Sequence, residues 1–294
     1  MSLPTVPAYA MPAATDFPES RVSWPLQASR AMLLVHDMQD YFLRCYGERS
    51  PLRDTLLQNL QALIAWARAR QVPVVYTAQA AMQTPQDRAL LNDLWGPGLS
   101  AADPALAAIA APLTPAAEDT VLTKWRYSAF QRSELAALMR ERGRDQLLIA
   151  GVYAHIGCLM TAVEAFMQDI RPFLVGDAVA DFSLEDHHMA LRYVAGRAGR
   201  VMGTQEILAL GAAPLRWEEF RAGVLARLPE GQDGVQDQDN LLDYGLDSVQ
   251  LMELIASWAR QGLKLRFEDL ARRPSLQAWW TLAEQARALT GTPA

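Results

Sequence analysis

Five short apolar runs, each uninterrupted by polar residues on alternate positions, constrain this chain most. They are Ala31–His36 (AMLLVH), Val72–Thr77 (VPVVYT), Thr120–Lys124 (TVLTK), Gln146–Gly151 (QLLIAG) and Phe173–Gly176 (FLVG). A half-exposed strand alternates apolar and polar residues; a strand covered on both faces does not, and that is the signature of a parallel sheet. Helical patterns at Leu56–Arg70, Ser133–Arg142 and Glu185–Ala195 fall between the runs, with Ser133 as an N-cap and Gly143 as a C-terminal stop. Strand and helix in alternation predict βαβ crossovers, hence an α/β fold with a Rossmann-like parallel sheet and flanking helices. No G-x-G-x-x-G follows the first strand, so a dinucleotide site is not expected.

The pattern breaks at Ala209–Pro214, within LALGAAPL. Beyond it the periodicity is helical throughout: Trp217–Leu228, Ser248–Arg260, a short turn at Phe267–Ala271, and Leu276–Leu289, with an acidic loop at Pro229–Asn240. The organisation expected is therefore an α/β domain over 1–208, a linker over 209–215, and a small four-helix bundle over 216–294. At 51% hydrophobic and 20% charged residues the chain reads as well packed. A net charge of −6 without a basic block argues against nucleic acid as a partner. No apolar run reaches the roughly 18 residues that span a bilayer, no signal peptide is recognisable, and the two cysteines suit a reducing compartment; no membrane association and a cytoplasmic location are expected.

Ser248 stands in Asp-Tyr-Gly-Leu-Asp-Ser (243–248), at the head of an amphipathic helix. A serine that is to be modified by another enzyme needs an exposed hydroxyl at a helix start beside acidic residues, here Asp243, Asp247 and Glu253, that a basic partner can grip. Leu251, Leu254, Ile255 and Trp258 make the core face of that helix, while Val249, Met252 and Ala256 form a second stripe suited to partner docking. With Gly-Leu-Asp-Ser-Val and the later Pro-Ser-Leu-Gln-Ala-Trp-Trp (274–280), this unit resembles the aryl and peptidyl carrier domains of nonribosomal peptide synthesis. The resemblance implies a covalent 4′-phosphopantetheine on Ser248, installed by a phosphopantetheinyl transferase.

Upstream, the first strand runs into Asp37, the third ends in Lys124, and the fourth leads into Gly151-Val-Tyr-Ala-His-Ile-Gly157-Cys158. These are carboxyl ends of strands, where open α/β sheets keep their ligands. With Asp37-Met-Gln-Asp-Tyr-Phe, Tyr76-Thr-Ala-Gln79, the Asp87–Gly98 segment, Lys124–Phe130 and Ala178–Ser183, the region resembles the isochorismatase-like hydrolase superfamily. Its cysteine members use an Asp-Lys-Cys triad, and the place of that cysteine is held here by Gly157. Cys158, one position later, would point about 100° away on a helix. The resemblance thus implies Asp37, Lys124 and Gly157 as the catalytic positions of a true isochorismatase, which forms no covalent intermediate. It also implies a cis non-proline peptide at Val152–Tyr153. Over nearly the whole chain the likeness is to bifunctional isochorismatase–aryl carrier proteins of catecholate siderophore synthesis.

The resemblance implies a function in two parts. Isochorismate would be hydrolysed to pyruvate and 2,3-dihydroxy-2,3-dihydrobenzoate by general-acid cleavage of its vinyl ether. A 2,3-dihydroxybenzoyl thioester would then be held at Ser248, loaded by a 2,3-dihydroxybenzoate-adenylating enzyme and delivered to a nonribosomal peptide synthetase condensation domain. Asp37 is the expected acid, its pKa raised by desolvation and lowered by Lys124. Arg88 and Lys124 are the candidates for carboxylate binding, Gln79 for ring hydroxyls or a carboxylate, Trp95 as a wall, and Tyr153 with the Gly157 amide for the enolpyruvyl end. Arg126 is as readily a structural residue as a ligand. His36, His155, His187 and His188 show no spacing suited to a zinc site, no metal is expected, and Asp177 and Asp181 are expected to cap turns. Homo-oligomerisation is common in the superfamily and expected here. Two other readings are a cysteine amidase of the nicotinamidase kind, which Gly157 opposes, and a carrier scaffold with an inactive hydrolase domain.

Overall fold

The computed structural model describes residues 6–290, apart from 8, 48, 211–216, 230–233, 261–262 and 264. Its chain divides into two compact units, Met1–Thr204 and Gln205–Ala294. The first holds a six-stranded sheet, β1 (Ala31–His36), β2 (Val74–Ala78), β3 (Thr120–Thr123), β4 (Gln146–Val152), β5 (Arg171–Ala180) and β6 (Arg200–Met202). All pairings are parallel, in the order β3-β2-β1-β4-β5-β6. The chain walks outward from β1 in one direction and restarts at β4 on the other side, so the switch point lies between β1 and β4.

Burial explains why the sequence is readable here. Every residue of β1 and β4 is buried, as central strands between two helical layers must be. The third strand departs from the continuous burial expected for it: β3 alternates half-buried and exposed, with Val121 49% exposed, because it is the sheet edge. The second begins two residues later than expected, since Pro73 has no N–H to give the ladder. β6, three residues long, left no periodic trace in the sequence.

The helix over Pro51–Ala69 starts before its expected Leu56. Ser50 accepts a hydrogen bond from Arg53 N, and Pro51 occupies the first turn where its missing N–H costs nothing. The helix over Leu135–Glu141 stops as expected at Gly143, which takes φ +62° while Arg144 N donates to Met139 O at 2.8 Å. Between the layers, Met32, Leu34, Leu147, Ile149, Leu174, Ala162 and Leu191 form a continuous core.

In the second unit, helices cover Trp217–Leu225, Ser248–Arg260, Phe267–Arg272 and Leu276–Thr290. Phe220, Leu241, Leu246, Leu251, Leu254, Trp258, Leu270 and Trp279 are buried together, Phe220 stacking on Trp258 at 4.8 Å and Trp279 Nε1 donating to Leu270 O at 2.9 Å. Most of the expected 209–215 linker, namely 211–215, lies outside the described residues, as does residue 216.

Candidate active site and carrier serine

Asp37 follows β1 directly and has φ +51°, a left-handed conformation that aspartate tolerates better than most side chains. Its carboxyl group is 6% exposed and fully engaged: Thr77 Oγ1, from β2, donates to Oδ1 at 2.6 Å, and Lys124 Nζ, just past β3, donates to Oδ2 at 2.9 Å. Lys124 is itself 3% exposed. Three adjacent strands thus deliver one residue each to a single buried ion pair at their carboxyl ends.

The electrostatics depart from one expectation. Burial alone pushes the Asp37 carboxyl up, but the neighbouring His36 and Lys124 and the Thr77 hydrogen bond outweigh it and hold the pKa below the ordinary carboxylate value. Asp37 is therefore ionised in the unliganded site. The pKa of His36, fully buried, is lowered too, but by desolvation, to about 4, so its ring is neutral at pH 7. Its Nδ1 lies 2.8 Å from Val152 O.

Around the pair opens a cleft lined by His36, Asp37, Gln79, Arg88, Trp95, Lys124, Tyr153 and Gly157 among others. All the sequence-predicted hydrolase residues are brought together there. Gln79 is held by its backbone, whose N–H donates to Gln39 Oε1 at 2.7 Å and whose carbonyl accepts from Gln39 Nε2 at 2.9 Å. Arg88, 4% exposed, donates to Gly96 O from both Nε and Nη2 and to Gln83 Oε1 from Nη1. These bonds fix the fork and leave donor hydrogens for a ligand. Trp95 Nε1 donates to Tyr127 OH at 2.8 Å. Tyr153 follows a cis peptide after Val152; its ring faces the cleft and its hydroxyl donates to Phe42 O at 2.8 Å.

Several more lining residues fall inside the motifs that carry the resemblance, without a definite role assigned from them. Tyr41 and Phe42 come from a four-residue helix over Asp40–Leu43, and Leu91 from a five-residue helix over Leu91–Trp95. Arg126 lines the cleft while its Nη1 donates to Asp87 O and Trp125 O. The lining then carries three cations, Arg88, Lys124 and Arg126, against the one carboxylate of Asp37. That excess stands out in a chain of net charge −6 and suits a dianionic ligand.

No thiol reaches this cleft among the described residues. Cys158 is fully buried in the core beneath the turn, and burial pushes its pKa well up. Cys45 is buried beside Tyr153 OH, its pKa raised to about 11 by desolvation. Asp177 and Asp181, expected to cap turns, instead tie together segments 27 and 26 residues apart. Asp177 Oδ1 accepts from Thr204 N and Oγ1, and Asp181 accepts from His155 N and Phe182 N. The structure also gathers His155, Asp181 and Asp186, a grouping the sequence spacing did not reveal. Its polar atoms are engaged by one another, by Phe182 N and by Ser183 Oγ, so it acts as a clasp on the turn.

In the second unit Ser248 is exposed at the first position of its helix. Capping falls to its neighbours: Gln250 N donates to Asp247 Oδ1 at 2.7 Å, and Asp247 N donates to Gln250 Oε1 at 2.9 Å. Val249 and Met252 are 66% and 55% exposed on the adjoining face.

A parallel α/β sheet that gathers a buried Asp–Lys pair and a cationic cleft at the carboxyl ends of its strands is the framework of a hydrolase domain. An isochorismatase domain model matches residues 31–206, and a phosphopantetheine attachment site model matches 220–281. The chain belongs to the isochorismatase family, and carries a phosphopantetheine carrier domain as well. It is 49% identical over 282 residues to enterobactin synthase component B of Escherichia coli (strain K12), covering 96% of this chain and 98% of that one. It is 46% identical over 298 residues to the isochorismatase of Bacillus subtilis (strain 168), covering 96% and 95%. Among solved structures, a cysteine hydrolase from Pseudomonas syringae pv. phaseolicola 1448A superposes with a TM-score of 0.59 at 25% identity, over 65% of this chain and 95% of that one.

Proposed function

We propose that the domain over 1–208 hydrolyses isochorismate to pyruvate and 2,3-dihydroxy-2,3-dihydrobenzoate, and that the domain over 216–294 carries an aryl group on phosphopantetheine at Ser248 for siderophore assembly. One observation carries the hydrolase assignment: a buried Asp37–Lys124 pair inside a cationic cleft whose nucleophile position is a glycine. Isochorismate is a dianion bearing an enolpyruvyl ether. Arg88, with Lys124 or Arg126, takes its carboxylates, Gln79 and the Trp95 and Tyr153 rings orient the ring, and the Gly157 turn faces the enolpyruvyl end.

Asp37 delivers a proton to the terminal methylene carbon, the C=C electrons form the new C–H bond, and an oxocarbenium ion results. Water adds to the ether-bearing carbon of that ion and loses a proton to give a hemiketal. The bond from the hemiketal carbon to the ether oxygen then breaks, that oxygen stays on the ring and takes a proton, and the hemiketal hydroxyl loses its proton as the carbonyl of pyruvate forms. For this the acid must hold a proton that Lys124 would otherwise expel. Bound carboxylates beside Lys124 offset its charge and raise the Asp37 pKa in the complex.

The carrier unit fits its prosthetic group because Asp247 and Gln250 do the capping, so helix integrity does not depend on the exposed Ser248 hydroxyl. When bound, the arm supplies a thiol that holds an acyl group as a thioester. Asp243, Asp247 and Glu253 are the contact points for a basic phosphopantetheinyl transferase, and Val249 and Met252 for the adenylating enzyme and the synthetase condensation domain. We place the protein in the cytoplasm as a homo-oligomer; no described helix is long and apolar enough to cross a membrane. Pyruvate release from isochorismate, read through lactate dehydrogenase, tests the reading. Wild type and Ser248→Ala should produce it and Asp37→Asn should fall by about 10²–10⁴-fold; equal rates in all three would sink the assignment of the acid.

A further inference from the structure

His36 is the buried group of the cleft to which the proton transfer from Asp37 gives no task. Its ring is fully buried, Nδ1 lies 2.8 Å from Val152 O and 3.7 Å from Asp37 Oδ2, and Nε2 has no hydrogen-bond partner. With Nδ1 donating to that carbonyl, Nε2 is left without a donor, the Tyr127 backbone being the other polar group against the ring, an arrangement a core position would normally avoid. The other side of the ring explains it. A Cβ built on Gly157 would lie 2.1 Å from His36 Cε1 and 2.8 Å from Nε2. The imidazole therefore occupies the volume that any side chain at 157 would need.

We propose that His36 is a positioning residue that sets which chemistry this site can run: its ring stands in for the absent side chain at 157, walls that face of Asp37, and denies the site a nucleophile. The inference rests on the reading of the cleft as the hydrolase site. Being neutral, the ring desolvates Asp37 on the Gly157 side, and its single N–H is spent on Val152 O, so it offers the carboxylate no competing hydrogen bond. The hydrogen bonds to the Asp37 carboxylate are then left to Thr77, Lys124 and the bound ligand. Glycine at 157 and histidine at 36 are one unit: neither substitution is tolerated alone, and each relieves the other.

Two measurements test this on the full-length protein. In the first, kcat and KM for pyruvate release are compared for wild type, Gly157→Ala, His36→Ala and the double variant. Gly157→Ala should lose at least about 100-fold in kcat, and His36→Ala about tenfold with KM changed less than about threefold. The double variant should regain at least about tenfold over Gly157→Ala, where independent effects would multiply to a deeper loss. In the second, the rate of iodoacetamide labelling at position 157 is compared in Gly157→Cys and His36→Ala/Gly157→Cys, with peptide mapping to separate Cys45 and Cys158. The double variant should label at least about tenfold faster, since only there does the thiol reach the cleft. If Gly157→Cys does not fold, as read by thermal melting, a folded double variant is the same suppression, and an unfolded one overturns the proposal. Equal labelling rates, or a double variant as inactive as the product of the single losses, also overturns it. A wild type that releases no pyruvate would refute the hydrolase reading, while the labelling comparison would still decide the question of shared space.

Discussion

Lys124→Met isolates the energetics of the buried pair. The substitution keeps the length and apolar stem of the side chain and removes its charge, leaving the buried Asp37 carboxylate with the Thr77 hydroxyl as its remaining hydrogen-bond donor. Breaking a buried ion pair from one side costs about 3–5 kcal/mol, because a desolvated charge loses its partner. For a unit of this size about 1 kcal/mol corresponds to 2–4 °C, so the hydrolase transition should fall by roughly 6–20 °C. Asp37→Asn/Lys124→Met, which removes both charges, should recover most of that loss while staying inactive. Calorimetry of the full chain is the assay, with the carrier unit's transition as an internal reference that should not move. The pH dependence supplies a second check. In wild type the folded pKa of Asp37 is depressed, so its stabilisation is present above the unfolded value of about 3.9 and is lost as pH falls through the folded one. The gap between wild type and Lys124→Met should therefore close below about pH 4. A Lys124→Met transition within 2 °C of wild type at pH 7, or a gap that widens in acid, would refute the reasoning.

Three further substitutions probe other parts. Asp247→Ala removes the acceptor that caps the Ser248 helix and should lower the carrier unit's stability by about 0.5–2 kcal/mol without touching pyruvate release; urea unfolding followed by hydrogen exchange in Leu251–Trp258 reads it. Gln39→Ala strips both backbone partners of Gln79 and should cost about 1–3 kcal/mol together with a fall in kcat/KM, measured by thermal melting and the coupled assay. Arg88→Lys keeps the charge but not the fork that grips Gly96 O, and should raise KM for isochorismate at least tenfold with a smaller change in kcat.

The sheet was legible because four of its strands are buried enough to write continuous apolar runs, as β1 and β4 do in full. β6 escaped because three residues carry no period, and β3 was misjudged because being an edge strand is a property of sheet order, not of the strand's own sequence. The residues gathered in the cleft were reached through strand ends and family likeness, which placed Asp37, Lys124, Gln79 and Arg88. Gln39 and His36 stayed hidden because their importance lies in contacts 40 and 116 residues away, with Gln79 and Val152. The His155–Asp181 clasp was missed in the same way, its members coming from the turn after β4 and the end of β5.

The proton on Asp37 is where charge, burial and substrate meet. In the free protein Lys124 keeps the carboxyl ionised, which would be the wrong state for an acid. The same ammonium, with Arg88 and Arg126, makes the cleft attract a dianion. Once carboxylates lie beside Lys124, its field at Asp37 is offset in a site already poor in water, and the carboxyl can take up a proton. Substrate binding and arming of the acid are then one event: Asp37 is a carboxylate in the free protein and an acid in the loaded one. Because kcat/KM reports the free enzyme and kcat the complex, the alkaline limb of kcat should lie at higher pH than that of kcat/KM. Coupled-assay profiles from pH 5 to 9 measure both limbs, and superimposable profiles would mean that substrate does not raise the Asp37 pKa and that the proton comes from elsewhere.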